Sequence, residues 1–131
     1  MRLMMECTIP IRPQAKQSAR VVSKGGKTWS FQPKKKVDYV NDLKLVLSSH
    51  KQKPLIDTAC KLEVTYYFKQ ITNGGWRTGT PDIDNILKPL KDALTGIIIL
   101  DDSIIVWTDA KKRNSQVDGI ELKLYDLEGK E

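Results

Sequence analysis

The sequence predicts a single α+β domain in which a mixed or antiparallel β-sheet packs with two main helices, on three observations. Two apolar stripes recur at helical spacing, several stretches alternate with period two, and the two patterns follow one another without regular alternation. The chain has 131 residues, close to the commonest size for one domain, so residues 1–131 are read as one unit that needs no metal or disulfide to build its core.

Arg2 to Ile9 alternates loosely ahead of Pro10 and Pro13 and reads as a short strand. Residues 12–36 are polar and basic, with Gly25-Gly26 between Val21-Val22 and Trp29-Ser30-Phe31, which suits a small hairpin or an extended loop. Tyr39, Val40, Leu43, Val46 and Leu47 then share one helical face between Lys36 and Lys51. This helix is expected to begin just after Lys34, Lys35 and Lys36, the wrong sign for its N-terminal dipole, which makes phosphate binding near that end attractive. Pro54 closes the region, and Cys60 to Ile71 alternates as a half-buried strand. Thr72 to Thr80, rich in glycine, reads as a flexible loop carrying Trp76 and Arg77.

A second helix is expected from about Asp82 to Thr95, with Ile83, Ile86, Leu87, Leu90 and Leu94 on one stripe and Gly96 as its C-terminal stop. Pro89 lies inside it, past the first turn, where it removes a backbone hydrogen bond. Ile97 to Leu100 is expected to return as a buried strand. Ser103 to Asp109 and Gly119 to Tyr125 read as two more strands around a basic turn, Lys111-Lys112-Arg113.

With 40% hydrophobic and 29% charged residues the composition is that of an ordinary soluble protein. No run is long enough to span a membrane and the start lacks a signal peptide's apolar core, so an intracellular, cytoplasmic protein is expected. Cys7, Cys60 and the single His50 have no zinc or redox spacing, which argues against zinc, histidine acid/base chemistry and a disulfide scaffold. The formal charge of +6 is unevenly spread: residues 1–36 hold nine basic and one acidic side chain, whereas residues 81–110 hold two and six. A basic surface favours polyanions. An acidic island in the same chain repels that polyanion unless a cation lies between them.

Within the island stand Asp82 and Asp84 at the mouth of the second helix, and the pair Asp101-Asp102 after it. Helical geometry puts Asp84, Lys88 and Lys91 along one flank of the apolar stripe, and the return of the chain can bring Asp101 or Asp102 to the same place. Carboxylates from different elements can hold Mg²⁺ beside a substrate phosphate, with a lysine to offset developing charge. The same residues also read as a helix cap at Asp82, a dipole-favoured Asp84 paired with Lys88, and an ordinary turn at Asp101-Asp102. Spacing alone leaves both readings open.

The stretch PDIDNILKPLKDALTGIIILDDSIIV, Pro81 to Val106, resembles the RusA family of Holliday-junction resolvases. There a D-x-D-N-x-x-K segment opens a helix ending in D-A-L, and a D-D pair runs into a strand. Asp82, Asp84, Asn85 and Lys88 match the first part, Asp92-Ala93-Leu94 the second and Asp101-Asp102 the last. The N-terminal third is similar to a weaker family pattern of Lys16, Arg20, an aromatic at Trp29 or Phe31, Pro33 and Lys34 to Lys36.

The resemblance implies a homodimeric endonuclease, often phage-borne, that binds four-way DNA junctions and makes paired nicks with Mg²⁺ or Mn²⁺. It makes Asp82, Asp84 and Asp102 the essential carboxylates and Lys88 the essential lysine; beside them Asp101 reads as an auxiliary ligand or a positioning residue. Residues 81–106 are then the catalytic region and 12–36 the basic DNA-binding region. Lys16, Arg20, Lys34, Lys35, Lys36, Arg77 and Lys91 are expected to hold DNA phosphates; Trp76 or Trp29 reads either as a base-stacking wedge at the branch point or, more commonly for a tryptophan, as core or rim packing. Two rival readings are a non-catalytic basic DNA-binding protein and a broader nuclease that cuts flaps and forks.

Overall fold

A computed structural model describes residues 1–15, 20–24, 27–31, 34–70 and 74–128, and for 20–24, 27–31 and 34–37 the backbone alone. The elements run β1 (Arg2–Ile9), β2 (Arg20–Lys24), β3 (Lys27–Phe31), α1 (Lys34–Leu47), β4 (Cys60–Lys69), α2 (Ile83–Leu94), β5 (Ile105–Ser115) and β6 (Gly119–Asp126). Single 3-10 turns follow α1 at Ser48–His50 and precede β5 at Asp102–Ile104. β2 and β3 form the separate antiparallel hairpin that the sequence allows around residues 25–26. None of the described helices is long and apolar enough to cross a membrane.

The main sheet has four strands in the order β1-β6-β4-β5. β6 lies antiparallel between β1 and β4, and β5 runs parallel to β4 along the other side. Alternation along each strand sorts its residues onto two faces. Met5, Cys7 and Ile9, then Ile120, Leu122 and Leu124, then Leu62, Val64, Tyr66 and Phe68, are buried on the inner face. The outer face is charged and ion-paired, with Glu6 near Lys123, Lys61 near Glu63, and Tyr67 donating to Glu121.

Tyr39, Leu43 and Leu47 of α1 and Ile86, Leu90, Ala93 and Leu94 of α2 join the inner face in one core. The two helices pack on each other. Tyr66 fastens α2 to the central strand, its buried hydroxyl donating to the Ile86 carbonyl at 3.2 Å. Gly96, at φ +90°, ends α2 in a left-handed turn that a side chain would strain. Cys7 and Cys60 are buried free thiols, and burial pushes Cys60 up to about 11.

Four expectations need correction. The three lysines do not precede α1 but form its first turn. Burial of the Tyr39, Leu43 and Leu47 face outweighs an unfavourable dipole contact of roughly 0.3–1 kcal/mol per charge. Residues 97–100 are not a strand. The amides of Ile97, Ile98 and Ile99 all turn back to the Leu94 carbonyl, and Ile56 brackets the turn through Ile98 and Leu100. Lys111-Lys112-Arg113 is not a turn but part of β5, an edge strand whose alternation puts Lys111 and Arg113 on the outer face and Lys112 in phase with the inner one. Residues 74–77 are not a free loop, because they lie along β5, with the Asn114 amide on the Gly75 carbonyl and the Arg77 amide on the Lys112 carbonyl.

If this core carries the fold, Leu90→Ala lowers the unfolding free energy by about 2–5 kcal/mol. Leu45→Ala, at a site 74% exposed, changes it by less than about 0.5 kcal/mol. Urea denaturation followed by circular dichroism measures both.

Candidate active site

The acidic island lies in the crossover between the parallel strands β4 and β5, with aspartates at both ends of α2. Asp82 occupies the N-cap position with extended backbone, φ −69° and ψ 152°, and its carbonyl accepts the first helical bonds from Asn85 and Ile86. Its side chain makes no capping bond. Asp84 stands in the first turn. Both carboxylates are exposed and neither has a hydrogen-bond or ion-pair partner among the described residues. The cap and the Asp84–Lys88 pair that the spacing allows are therefore not what the structure uses.

Lys88 instead points toward the C-terminal end of the helix. Its ammonium lies 3.5 Å from Asp102 Oδ2 and 3.7 Å from Asp92 Oδ1, two carboxylates drawing it away from one. All three side chains are partly exposed, so each pair contributes about 0–1 kcal/mol. Asp101 and Asp102 diverge. Asp101 accepts from the Ser103 amide at 3.2 Å and from the Ser103 hydroxyl, capping the 3-10 turn, while Asp102 faces α2. The Ser103 donors hold the Asp101 carboxyl below the usual aspartate range.

Pro89 is buried within a continuous α2 and has no N–H to give the Asn85 carbonyl one turn back. The loop that leads into Asp82 is held from β5. Lys112 donates to the carbonyls of Gly79 and Pro81, both at 2.8 Å. Arg77 donates to the Thr80 carbonyl through Nε at 3.1 Å and Nη2 at 2.7 Å, and its guanidinium lies 4.3 Å from the centre of the Phe68 ring. Trp76 is exposed, with Arg113 stacked 4.5 Å from its ring centre.

Of the residues expected to hold DNA, Arg77 is thus engaged inside this loop. Lys91 has no ion-pair partner among the described residues. Lys16 lies outside the described residues, and Arg20, Lys34, Lys35 and Lys36 are described only as backbone of β2 and α1. The side chain of Trp29 is likewise not described.

Asp82, Asp84 and Asp102 offer hard oxygen donors, two of them uncommitted, and that chemistry fits a divalent cation. Within one copy, and among the described residues, no three metal-ligating side chains converge on a single point. Sequence reading missed Lys112. The available signal is its phase, since Ala110, Lys112 and Asn114 fall opposite the inner-face residues Val64, Tyr66 and Phe68 of β4.

Residues 10–125 match the family described as Endodeoxyribonuclease RusA. The crossover junction endodeoxyribonuclease rusA of Lactococcus phage r1t is 36% identical over 91 residues, covering 65% of this chain and 70% of that protein. An uncharacterized protein of Bacillus subtilis strain 168, YqaN, is 26% identical over 140 residues, covering 94% of this chain and 99% of its own.

The Ser103 cap generates a titration test. Because its folded-state value is depressed, Asp101 contributes stability above its unfolded pKa that is lost as pH falls through the folded one. Ser103→Ala removes the hydroxyl donor, so the Asp101 carboxyl titrates at higher pH and that acid-side dependence weakens. Carboxyl carbon shifts followed by NMR from pH 2 to 6 read this directly.

Proposed function

The chain belongs to the RusA family of endodeoxyribonucleases, enzymes that hydrolyse DNA phosphodiester bonds, and from that membership we propose that it resolves four-way junctions by paired nicks as a homodimer. Two-fold symmetry supports the dimer, because two opposed cuts in a two-fold junction need two copies of one site. The phage relative supports carriage by a phage or prophage.

The observation that carries the site assignment is the pair of carboxylates, Asp82 and Asp84, uncommitted among the described residues in a chain of formal charge +6. Asp82, Asp84 and Asp102 would hold Mg²⁺, or Mn²⁺ in its place, once drawn together around it, with Asp101 as an auxiliary. When bound, such an ion polarises the phosphodiester and lowers the pKa of water. Asp82 and Asp84 project from the start of α2, where its dipole favours negative charge. Lys88 offsets the negative charge that builds on the phosphoryl oxygens as the water oxygen bonds to phosphorus and the ester oxygen departs. Lys88 leaves the Asp92 and Asp102 carboxylates for the phosphate at little cost, since both pairs are partly exposed. Lys91 follows on the same helix, and Lys16, Arg20 and Lys34 to Lys36 hold flanking phosphates, making binding fall steeply with salt.

Asp84→Asn is expected to lower cleavage of a synthetic four-way junction by at least about 100-fold, while binding in Ca²⁺ or EDTA is kept or strengthened. Loss of binding together with cleavage argues against the catalytic assignment. Matched junction, fork and duplex substrates, with and without Mg²⁺, separate a resolvase from a nuclease that cuts forks equally well.

A further inference from the structure

We infer that Lys112 is a positioning residue for the acidic site, holding the backbone of residues 79–81 so that Asp82 and Asp84 are presented in a fixed orientation; this rests on the assignment of those aspartates above.

The position is unusual for a lysine. Across the inner face of the sheet, Ile9 pairs with Ile120, Ile120 with Tyr66, and Tyr66 with Lys112. The first three are completely buried, so the row leads from the core straight to the Lys112 side chain at the edge strand. An apolar residue would continue the row. A lysine there has instead turned its ammonium onto two peptide carbonyls, Gly79 and Pro81, at 2.8 Å each.

Those carbonyls flank Thr80, whose own carbonyl is taken by Arg77. Three consecutive carbonyls thus accept from two cations anchored elsewhere, Lys112 on β5 and Arg77 against Phe68. Gly79 and Thr80 are exposed, and Pro81 has no N–H, so the segment has little else to fix it. Asp82 follows immediately, and its carbonyl starts α2.

A lysine beside a helix N-terminus opposes the dipole, so helix stability does not explain it. A tetrahedral ammonium suits the task, because its three donors can serve two diverging carbonyls.

The test compares Lys112→Met with the unsubstituted chain and with Lys111→Met, an outer-face neighbour paired to Asp109. For Lys112→Met, the single-turnover cleavage rate of a four-way junction at saturating protein falls about 10–100-fold, as expected for misplacing reacting groups by roughly 1 Å. Junction binding in Ca²⁺ stays within about twofold, and the Mn²⁺ concentration that gives half-maximal binding to the free protein, read by calorimetry, rises several-fold. Amide hydrogen exchange at Asn85 and Ile86 accelerates while β4 amides keep their protection. Lys112→Cys behaves like Lys112→Met, and aminoethylation, which rebuilds the ammonium, restores rate and protection; the treated unsubstituted chain controls for Cys7 and Cys60.

Unchanged rate and exchange in Lys112→Met overturn the inference. So does loss of junction binding matching that of Lys91→Met, which makes Lys112 a phosphate contact, or loss of β4 protection, which makes it a general stability residue. If the unsubstituted chain cuts no junction, the assigned function fails, while exchange and Mn²⁺ binding still decide the role of Lys112.

Discussion

The parallel pairing of β4 with β5 is the constraint on which the remaining architecture depends. Parallel neighbours cannot be joined by a tight turn, so the chain must travel back along the sheet between Lys69 and Ile105 before pairing again. α2 is the central part of that return path. Every aspartate of the proposed site lies on it, with Asp82 and Asp84 where the path enters the helix and Asp101 and Asp102 where it leaves for β5. The Tyr66 hydroxyl on the Ile86 carbonyl and the buried Ile86, Leu90 and Leu94 stripe fix the helix to β4. The site inherits its rigidity from this packing, since both ends of the path are tied to one central strand.

Electrostatics divides the aspartates by what each already holds. Asp101 is consumed by Ser103, and Asp92 and Asp102 share Lys88. Among the described residues Asp82 and Asp84 remain uncommitted on a protein whose overall charge is positive. Like charges two residues apart repel, and the start of a helix is the place where that repulsion is best offset by the backbone. β5 and the loop laid along it complete the arrangement: Arg77, Lys112 and Arg113 spend their charge on carbonyls and rings within the fold. Positive charge near the acidic residues thus serves two ends, holding backbone at Lys112 and facing carboxylates at Lys88.

The parts legible in the sequence are those where one local pattern dominates. The β4 alternation survives, and so does the α2 stripe at Ile86, Leu90 and Leu94, with Ile83 and Leu87 only half-buried, because each element buries one face whatever its neighbours do. The misread parts are those where a neighbour decides. Lys111 to Arg113 looks like a turn in isolation, yet β4 beside it and the 74–77 segment beyond it make it strand. Ile97 to Leu100 has the apolar composition of a strand but only the Ile56 segment to bracket it, so it closes as a turn under α2.

By itself the sequence determined the α+β class, the two helical faces, and the acidic motif from Asp82 to Asp102, since these depend on periodicity and residue type alone. Only the tertiary structure decided which charges are spent. It turned Asp101 onto Ser103 and Asp102 toward Lys88, left Asp82 and Asp84 without a partner among the described residues, and gave Lys112 to the loop before them. The reason is physical: whether an ionic side chain is paired depends on groups far away in the chain, brought near by strand pairing that no local pattern encodes.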